Sequence, residues 1–398
     1  MNNKLLNVTK YSALTIAMLS STTQAISFSE GGWTMDINGI VGGFYTQTDC
    51  TVGDNAAQWS SFSACEYAVD NQDTASVQNG YLPGWINFIG THTTETGLDL
   101  KTHFGIAPGT SNPSEFGGRI AGATSVGDVR NLYLSITGTM GTLLVGRNDA
   151  LFQLDATYSD ITVPGVGTHA DAAGLLNTTF GAVATGYTFM AYQPQITYST
   201  PVVQGFQVNV GLFQPVDIQP DPISIGGPIY NVHDTPMIQG SVTYDIEGGS
   251  KLWASFVTQK AELSGGSGQE LTAKGYELGG RLVLGGFTAN LSGFKGDALG
   301  DGVLFLGATD AQGNAVETEG YLANIGYKFG VNKLSAQYGI TRNKDIDGAE
   351  NESYSVVYVR DISKGLSFTL EYTAHTTSQT GYTDSEANTV SSGVILFF

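Results

Sequence analysis

SSGVILFF, Ser391 to Phe398, ends the chain, and five of its eight residues are large and apolar. A terminus ordinarily frays, so an apolar tail closing on an aromatic residue needs something to cover it. Taken two at a time, Ser392, Val394, Leu396 and Phe398 fall on one face of a strand. If that last strand pairs with a first one, Trp33 to Thr46, neither a free edge nor a loose tail remains, and Phe398 anchors at a membrane interface.

The same period recurs upstream. Leu98, Leu100, Thr102, Phe104 and Ile106 alternate with Asp99, Lys101, His103 and Gly105. Phe206, Val208, Val210 and Leu212 alternate with Gln207, Asn209 and Gly211, and Leu366, Phe368, Leu370 and Tyr372 with Ser367, Thr369, Glu371 and Thr373. Each set reads as a strand with one greasy face and one wet face. The connections between such segments alternate in length: short at Thr93–Gly97, Gly138–Gly141, Gly285–Gly286 and Ser363–Gly365, long at Gln47–Asn79, Pro108–Gly127, Ala150–Met190 and Gly296–Val316. Short turns at one end and long loops at the other are the layout of an all-β, antiparallel transmembrane barrel, and the segments between them number about sixteen.

Composition agrees. No run approaches the ~18 apolar residues of a spanning helix, and mean hydropathy is −0.02, because lipid-facing and water-facing residues cancel in the average. Met1–Ala25 places Lys4 and Lys10 before an apolar stretch and then small and polar residues, the order of a secretory leader, which leaves 26–398 as one barrel domain. Without those lysines the net charge is two units more negative than −19, so nucleic acid is an unsuitable partner. The acids gather in the long loops. Cys50 and Cys65, in an oxidising compartment, read as a disulfide stapling the first long loop. No histidine or further cysteine sits at ligand spacing, so neither a metal nor another cofactor is expected.

The hairpin VRNLYLSITGTMGTLLVGRND (Val129–Asp149) resembles the R-x-x-Y-x-x-L-x-G-x-x-G-x-x-x-x-G-R hairpin of trimeric Gram-negative general porins, with Arg130 and Arg147 at its arginines. Leu82–Ile106 is similar to the hairpin before it, and Ser391, Gly393, Leu396 and Phe398 match the terminal pattern by which the barrel-assembly machinery recognises a last strand. The resemblance implies an outer-membrane homotrimer amid lipid and lipopolysaccharide. Each sixteen-stranded barrel would pass small hydrophilic solutes, with its third long loop folded into the lumen. In that loop, Asn148–Gly167 is similar to the inward loop of enteric porins, with Asp160 and Pro164 near the matching places but Gly165 and Val166 where that pattern has glutamate and phenylalanine. A second such string, Pro113–Gly118, lies before the arginine hairpin and is assigned to the second long loop.

A constriction follows in which Lys101, Arg130 and Arg147 face the acids Asp155, Asp160 and Asp171, with Asp99 on the water side of its strand. Charges across a gap comparable with the ~8–10 Å Debye length are poorly screened, so single residues can tune ion preference. The alternative is that each arginine holds the loop by hydrogen bonds. A regular strand that aims Arg130 inward also turns Leu132 and Leu134 inward, a conflict the register has to resolve. A substrate-specific channel for sugars or organic acids is the rival function, but most strand aromatics, Tyr321, Tyr327, Tyr338, Phe368 and Tyr372 among them, take the lipid parity. A barrel enzyme is the weaker rival, with five histidines and neither a G-x-S-x-G nor a paired-histidine zinc motif. The acidic string Asp345–Glu352 reads either as a divalent-cation loop or as a solvated one.

Overall fold

The computed structural model describes residues 25–68, 73–109, 127–172, 178–221, 227–265 and 268–398. Met1–Gln24 of the expected leader and the string Pro113–Gly118 lie outside them. Sixteen antiparallel strands close on themselves. Numbered along the chain, they are β1 (Trp33–Val52), β2 (Trp85–Thr93), β3 (Asp99–Pro108), β4 (Gly127–Gly138), β5 (Gly141–Asp149), β6 (Tyr192–Ser199), β7 (Phe206–Phe213) and β8 (Met237–Ile246). The second half comprises β9 (Ser250–Leu263), β10 (Glu270–Leu284), β11 (Phe287–Asp297), β12 (Glu317–Phe329), β13 (Asn332–Asn343), β14 (Ala349–Ser363), β15 (Leu366–Ser378) and β16 (Ser385–Phe397).

Alternation decides which way each strand faces. On β7, Phe206, Val208, Val210 and Leu212 are exposed on the outer surface, and on β12 Tyr321, Ile325 and Tyr327 are likewise. The inner parity is polar and hydrogen-bonded from strand to strand. Asn87 Nδ2 donates to Asn38 Oδ1 at 2.9 Å, and Asn290 Nδ2 reaches Asn324 Oδ1 at 2.6 Å. Stacked aromatic pairs, Phe206 with Tyr244 and Tyr327 with Phe329, sit on the outer surface near the short turns, where an interfacial aromatic belt belongs.

Closure runs through β1. Its far half pairs with β16 from Ile40 opposite Phe397 to Val52 opposite Ser385, and its near half pairs with β2 from Trp33 opposite His92 to Ile40 opposite Trp85. Phe398 and Gly39 exchange both backbone hydrogen bonds, at 2.9 and 3.0 Å. A Cβ at position 39 would lie 2.8 Å from the Phe398 ring, so glycine is what lets the terminal aromatic lie across the seam. Two short strands cover what would otherwise be open edge of β1: Ile26–Glu30 pairs with Trp33–Ile37, and Thr74–Gln78 with Phe44–Thr48.

One boundary differs from the reading of the sequence. The first strand continues past Thr46 to Val52, because β16 continues beside it. Gln47, Asp49 and Thr51 on its outer parity are exposed and polar, so the apolar signal stops before the strand does. That stretch ends at the Cys50–Cys65 disulfide, with a Cα–Cα distance of 5.8 Å, which ties the first long loop to the strand it leaves.

Removing Phe398 deletes two closing hydrogen bonds and the ring packed on Gly39, a loss on the order of 2–4 kcal/mol at the seam. Outer-membrane levels of the truncated protein should fall sharply, with material accumulating in the periplasm. Cys50→Ser, which loosens only the first loop, should leave insertion near normal. Equal membrane levels for the truncated and full-length chains would remove the terminal residue from any part in closure.

Candidate functional site: the lumen and its inward loop

The third long loop leaves β5 at Asp149, and its described residues, 150–172 and 178–191, lie along the inner wall before β6 begins at Tyr192. A chain segment without a ladder of its own must find partners for its backbone, and the polar inner faces of the strands supply them. Gln239 Oε1 accepts from Leu151 N and Phe152 N, both at 3.0 Å, and Ser255 Oγ accepts from Gln153 N at 3.1 Å. After a single helical turn at Leu154–Thr157, Asn324 Nδ2 donates to Ser159 O at 2.8 Å and Gln337 Oε1 accepts from Ile161 N at 3.0 Å. Thr369 Oγ1 donates to Pro164 O, and the Glu371 carboxylate takes Val166 N at 3.0 Å and Gly167 N at 2.5 Å. Gly165 lies so close to Glu371 that any side chain there would collide with the carboxylate. On the return, Thr341 Oγ1 accepts from Gly186 N at 3.0 Å, and Ser353 Oγ donates to Thr185 Oγ1 at 2.7 Å. The wet parity of β8, β9, β12, β13, β14 and β15 is therefore a docking template as much as a lining.

The acids assigned to a constriction take other positions. Asp160 is fully buried. Its Oδ1 accepts from Thr162 N and Oγ1 and from Gln337 Nε2, and its Oδ2 from Ala182 N at 2.8 Å and the Tyr187 hydroxyl at 3.0 Å. This carboxylate staples the outgoing and returning halves of the loop and does not line an open channel. Asp171 is also buried and accepts from Tyr67 N of the first loop at 3.0 Å. Asp155 is paired with Lys251 Nζ at 2.5 Å. Asp99 is exposed beside a short turn and accepts from Thr93 Oγ1 at 2.7 Å.

The bases divide as well. A β-bulge settles the conflict around Arg130: Gly105 pairs with Asn131 and Ile106 with Val129, so Arg130 is the extra residue. It turns inward while Leu132 and Leu134 stay exposed on the outer surface. Its guanidinium lies 5.3 Å from the Trp85 ring and 5.2 Å from that of Tyr192, with Nε donating to Asp128 at 3.1 Å. Arg147 does not join it. It pairs with Leu132 on one side and Pro194 on the other, both outward-facing, which assigns Arg147 to the outer parity, away from the lumen. Lys101 is on the inner parity, its Nζ 5.8 Å from the Tyr133 ring.

Three inner-wall bases were missed. Lys251 and Arg281 are directly paired across β9 and β10, and Arg281 donates from Nε to Asn290 Oδ1 at 2.9 Å and from Nη2 to Ser159 Oγ at 3.2 Å. Lys333 lies on β13 with its Cε against Gly326 of β12. The alternation Tyr276, Leu278, Gly280, Leu282 against Glu277, Gly279, Arg281 carries the signal for Arg281. With Lys101, these bases stand near the short turns, and Asp36 and Asp245 share that inner end.

The opposite mouth is acidic. Loop one packs Phe62 against His169 and Phe180 of the inward loop. Glu66 is pushed up to about 7 by burial and then by Asp221 and Asp171, and Asp301 to about 7 by burial and Asp221. In the outer string Asp345–Glu352, by contrast, Glu350 is paired with Arg342 at 2.6 Å and Asp345 accepts from Glu317 N. No three His, Cys, Asp or Glu side chains among the described residues gather in a way that would hold a metal ion.

The model of one protein family, Gram-negative porin, matches residues 12–380. Comparison with curated protein sequences gives no match. Among solved structures, the chain is similar to an anion-selective porin from Comamonas acidovorans, with 16% identity and a TM-score of 0.65 over 92% of this chain and 100% of that one. It is also similar to the outer-membrane channel DcaP of Acinetobacter baumannii, with 13% identity and a TM-score of 0.66 over 93% and 99%. A third similar structure, Salmonella typhi OmpF, has 12% identity and a TM-score of 0.60 over 94% and 100%.

Two outcomes follow from this geometry. Glu371→Ala removes charge-assisted bonds of about 1.5–3 kcal/mol each, so hydrogen exchange at Val166 and Gly167 should accelerate well beyond that at other loop amides. Unchanged exchange there would mean that Glu371 does not hold the loop. Glu66 and Asp301 have folded values near 7, above the ordinary 4.5 and 3.8, so they favour the interlocked loops while protonated. In calcium-free buffer that contribution is whole below about pH 4 and lost by about pH 7, and proteolysis within residues 60–68 should quicken across that window.

Proposed function

Since the chain belongs to the Gram-negative porin family, we propose that its channel is a general diffusion pore, assembled as a homotrimer, that prefers small anions despite the negative charge of the whole protein. The protein is an outer-membrane channel for passive diffusion through a sixteen-stranded barrel. Anion preference rests on where the charges lie. Of the loop acids, Asp160 and Asp171 are buried in hydrogen bonds and Asp155 is neutralised by Lys251, whereas Lys101, Arg281 and Lys333 stand on the inner wall near the short turns. A solute passing the loop meets that wall last. The Comamonas porin described as anion-selective supports this reading by its fold.

A general pore is favoured over a sugar-type channel because the aromatics of the described strands stack mainly on the outer surface, leaving Asn, Gln, Ser and Thr along much of the inside. A Vibrio cholerae outer-membrane protein of similar fold, with 14% identity and a TM-score of 0.54, is described in a trimer form, which supports the assembly. Met1–Ala25 is the leader, Gly393, Leu396 and Phe398 direct the last strand to the assembly machinery, and the outer surface meets lipid and lipopolysaccharide. No catalytic role belongs to this reading.

Planar-bilayer recording in a salt gradient tests it. The wild-type reversal potential should have the sign of anion preference, and Arg281→Glu and Lys333→Glu should each move it toward cations. Asp345→Lys, on the outer seventh loop, should move it little. A cation-preferring wild type, or a larger shift from Asp345→Lys than from Arg281→Glu, would place the selectivity elsewhere.

A further inference from the structure

Above the inward loop, the first, fourth and sixth long loops interlock through carboxylates. Ser61 donates to Asp221 twice, from N to Oδ2 at 2.9 Å and from Oγ to Oδ1 at 2.7 Å, and Ser60 Oγ donates to Asp301 Oδ2. Asp221 and Asp301 are only 6% and 4% exposed. The second oxygen of Asp301, Oδ1, finds no hydrogen-bond donor among the described residues. It points at a space beside Gly307, where a Cβ would lie 2.9 Å from Asp301 Oδ1 and 3.6 Å from Asp221 Oδ2. Gly307, with φ +71, thus leaves a cradle between two carboxylates from different loops. Glu66 and Asp171 add further negative charge to the same cluster.

A buried carboxylate oxygen without a donor, as Asp301 Oδ1 is, beside a second buried carboxylate is costly unless a positive charge lies against it. Two carboxylates with serine hydroxyls, backbone carbonyls and water form an all-oxygen set, the chemistry of a hard cation of flexible coordination. Two acidic side chains are too few for a transition-metal centre, which agrees with the absence of a three-ligand group among the described residues. We propose that Asp301 and Asp221, with Ser60 and Ser61, hold a calcium ion at Gly307 that ties the first, fourth and sixth loops together over the external mouth of the lumen.

The test uses the full mature chain refolded in detergent without lipopolysaccharide, stripped with chelator and titrated with calcium chloride at pH 7.5. Calorimetry should show one site per chain with affinity in the ~0.1–1 mM class of extracellular calcium modules. Calcium should also slow proteolysis within residues 60–68 in wild type and in Asp345→Asn. Asp301→Asn keeps the shape but loses the charge; it and Asp221→Asn should each lose the calcium effect while retaining β-rich circular dichroism. The proposal fails if wild type shows no calcium response, if Asp301→Asn responds as wild type does, or if lowering the pH alone protects the loops and calcium adds nothing. Each of those results leaves the channel reading untouched, since bilayer selectivity is measured at the other end of the lumen.

Discussion

Inside a bilayer, every backbone N–H and C=O must find a partner within the protein, and this chain meets that demand by closing a sheet. Closure depends on a strand of 20 residues whose two halves serve two different neighbours. At its pivot, Ile40 pairs with Trp85 on one side and with Phe397 on the other. Gly39 beside it lets the Phe398 ring lie across the seam. The apolar ending of the chain is thus a structural part of the wall.

The same constraint governs the interior. A loop that enters the lumen leaves its own ladder behind, and its amides and carbonyls must be met by side chains. Gln239, Ser255, Asn324, Gln337, Thr341 and Glu371 meet them. The carboxylates Asp160 and Glu371 hold the inward loop by hydrogen bonds while lying buried themselves. The charges left on the wall are basic near the short turns, and an acidic loop cluster lies at the opposite mouth.

Much of this was legible in the residues. Period-2 alternation, the alternating loop lengths and the terminal aromatic gave the barrel, the strand count and its closure, because a two-faced strand leaves a signature at every second position. The disulfide was legible from two cysteines alone. Charge positions were less so. Arg130 and Arg147 share a motif, yet a bulge turns the first inward and the register holds the second outward. Asp160 resembles a constriction acid until Thr162, Ala182, Tyr187 and Gln337 close around it.

By itself, then, the sequence determined the architecture, because lipid imposes one rule on every strand, and local pattern suffices to show it being obeyed. Only the tertiary structure decided which charges stand on the inner wall. A bulge of one residue, a hydrogen bond across 177 positions from Gln337 to Asp160, and a gap left by the missing side chain of Gly307 are set by partners distant in the chain. Nothing in the local sequence of either partner records them.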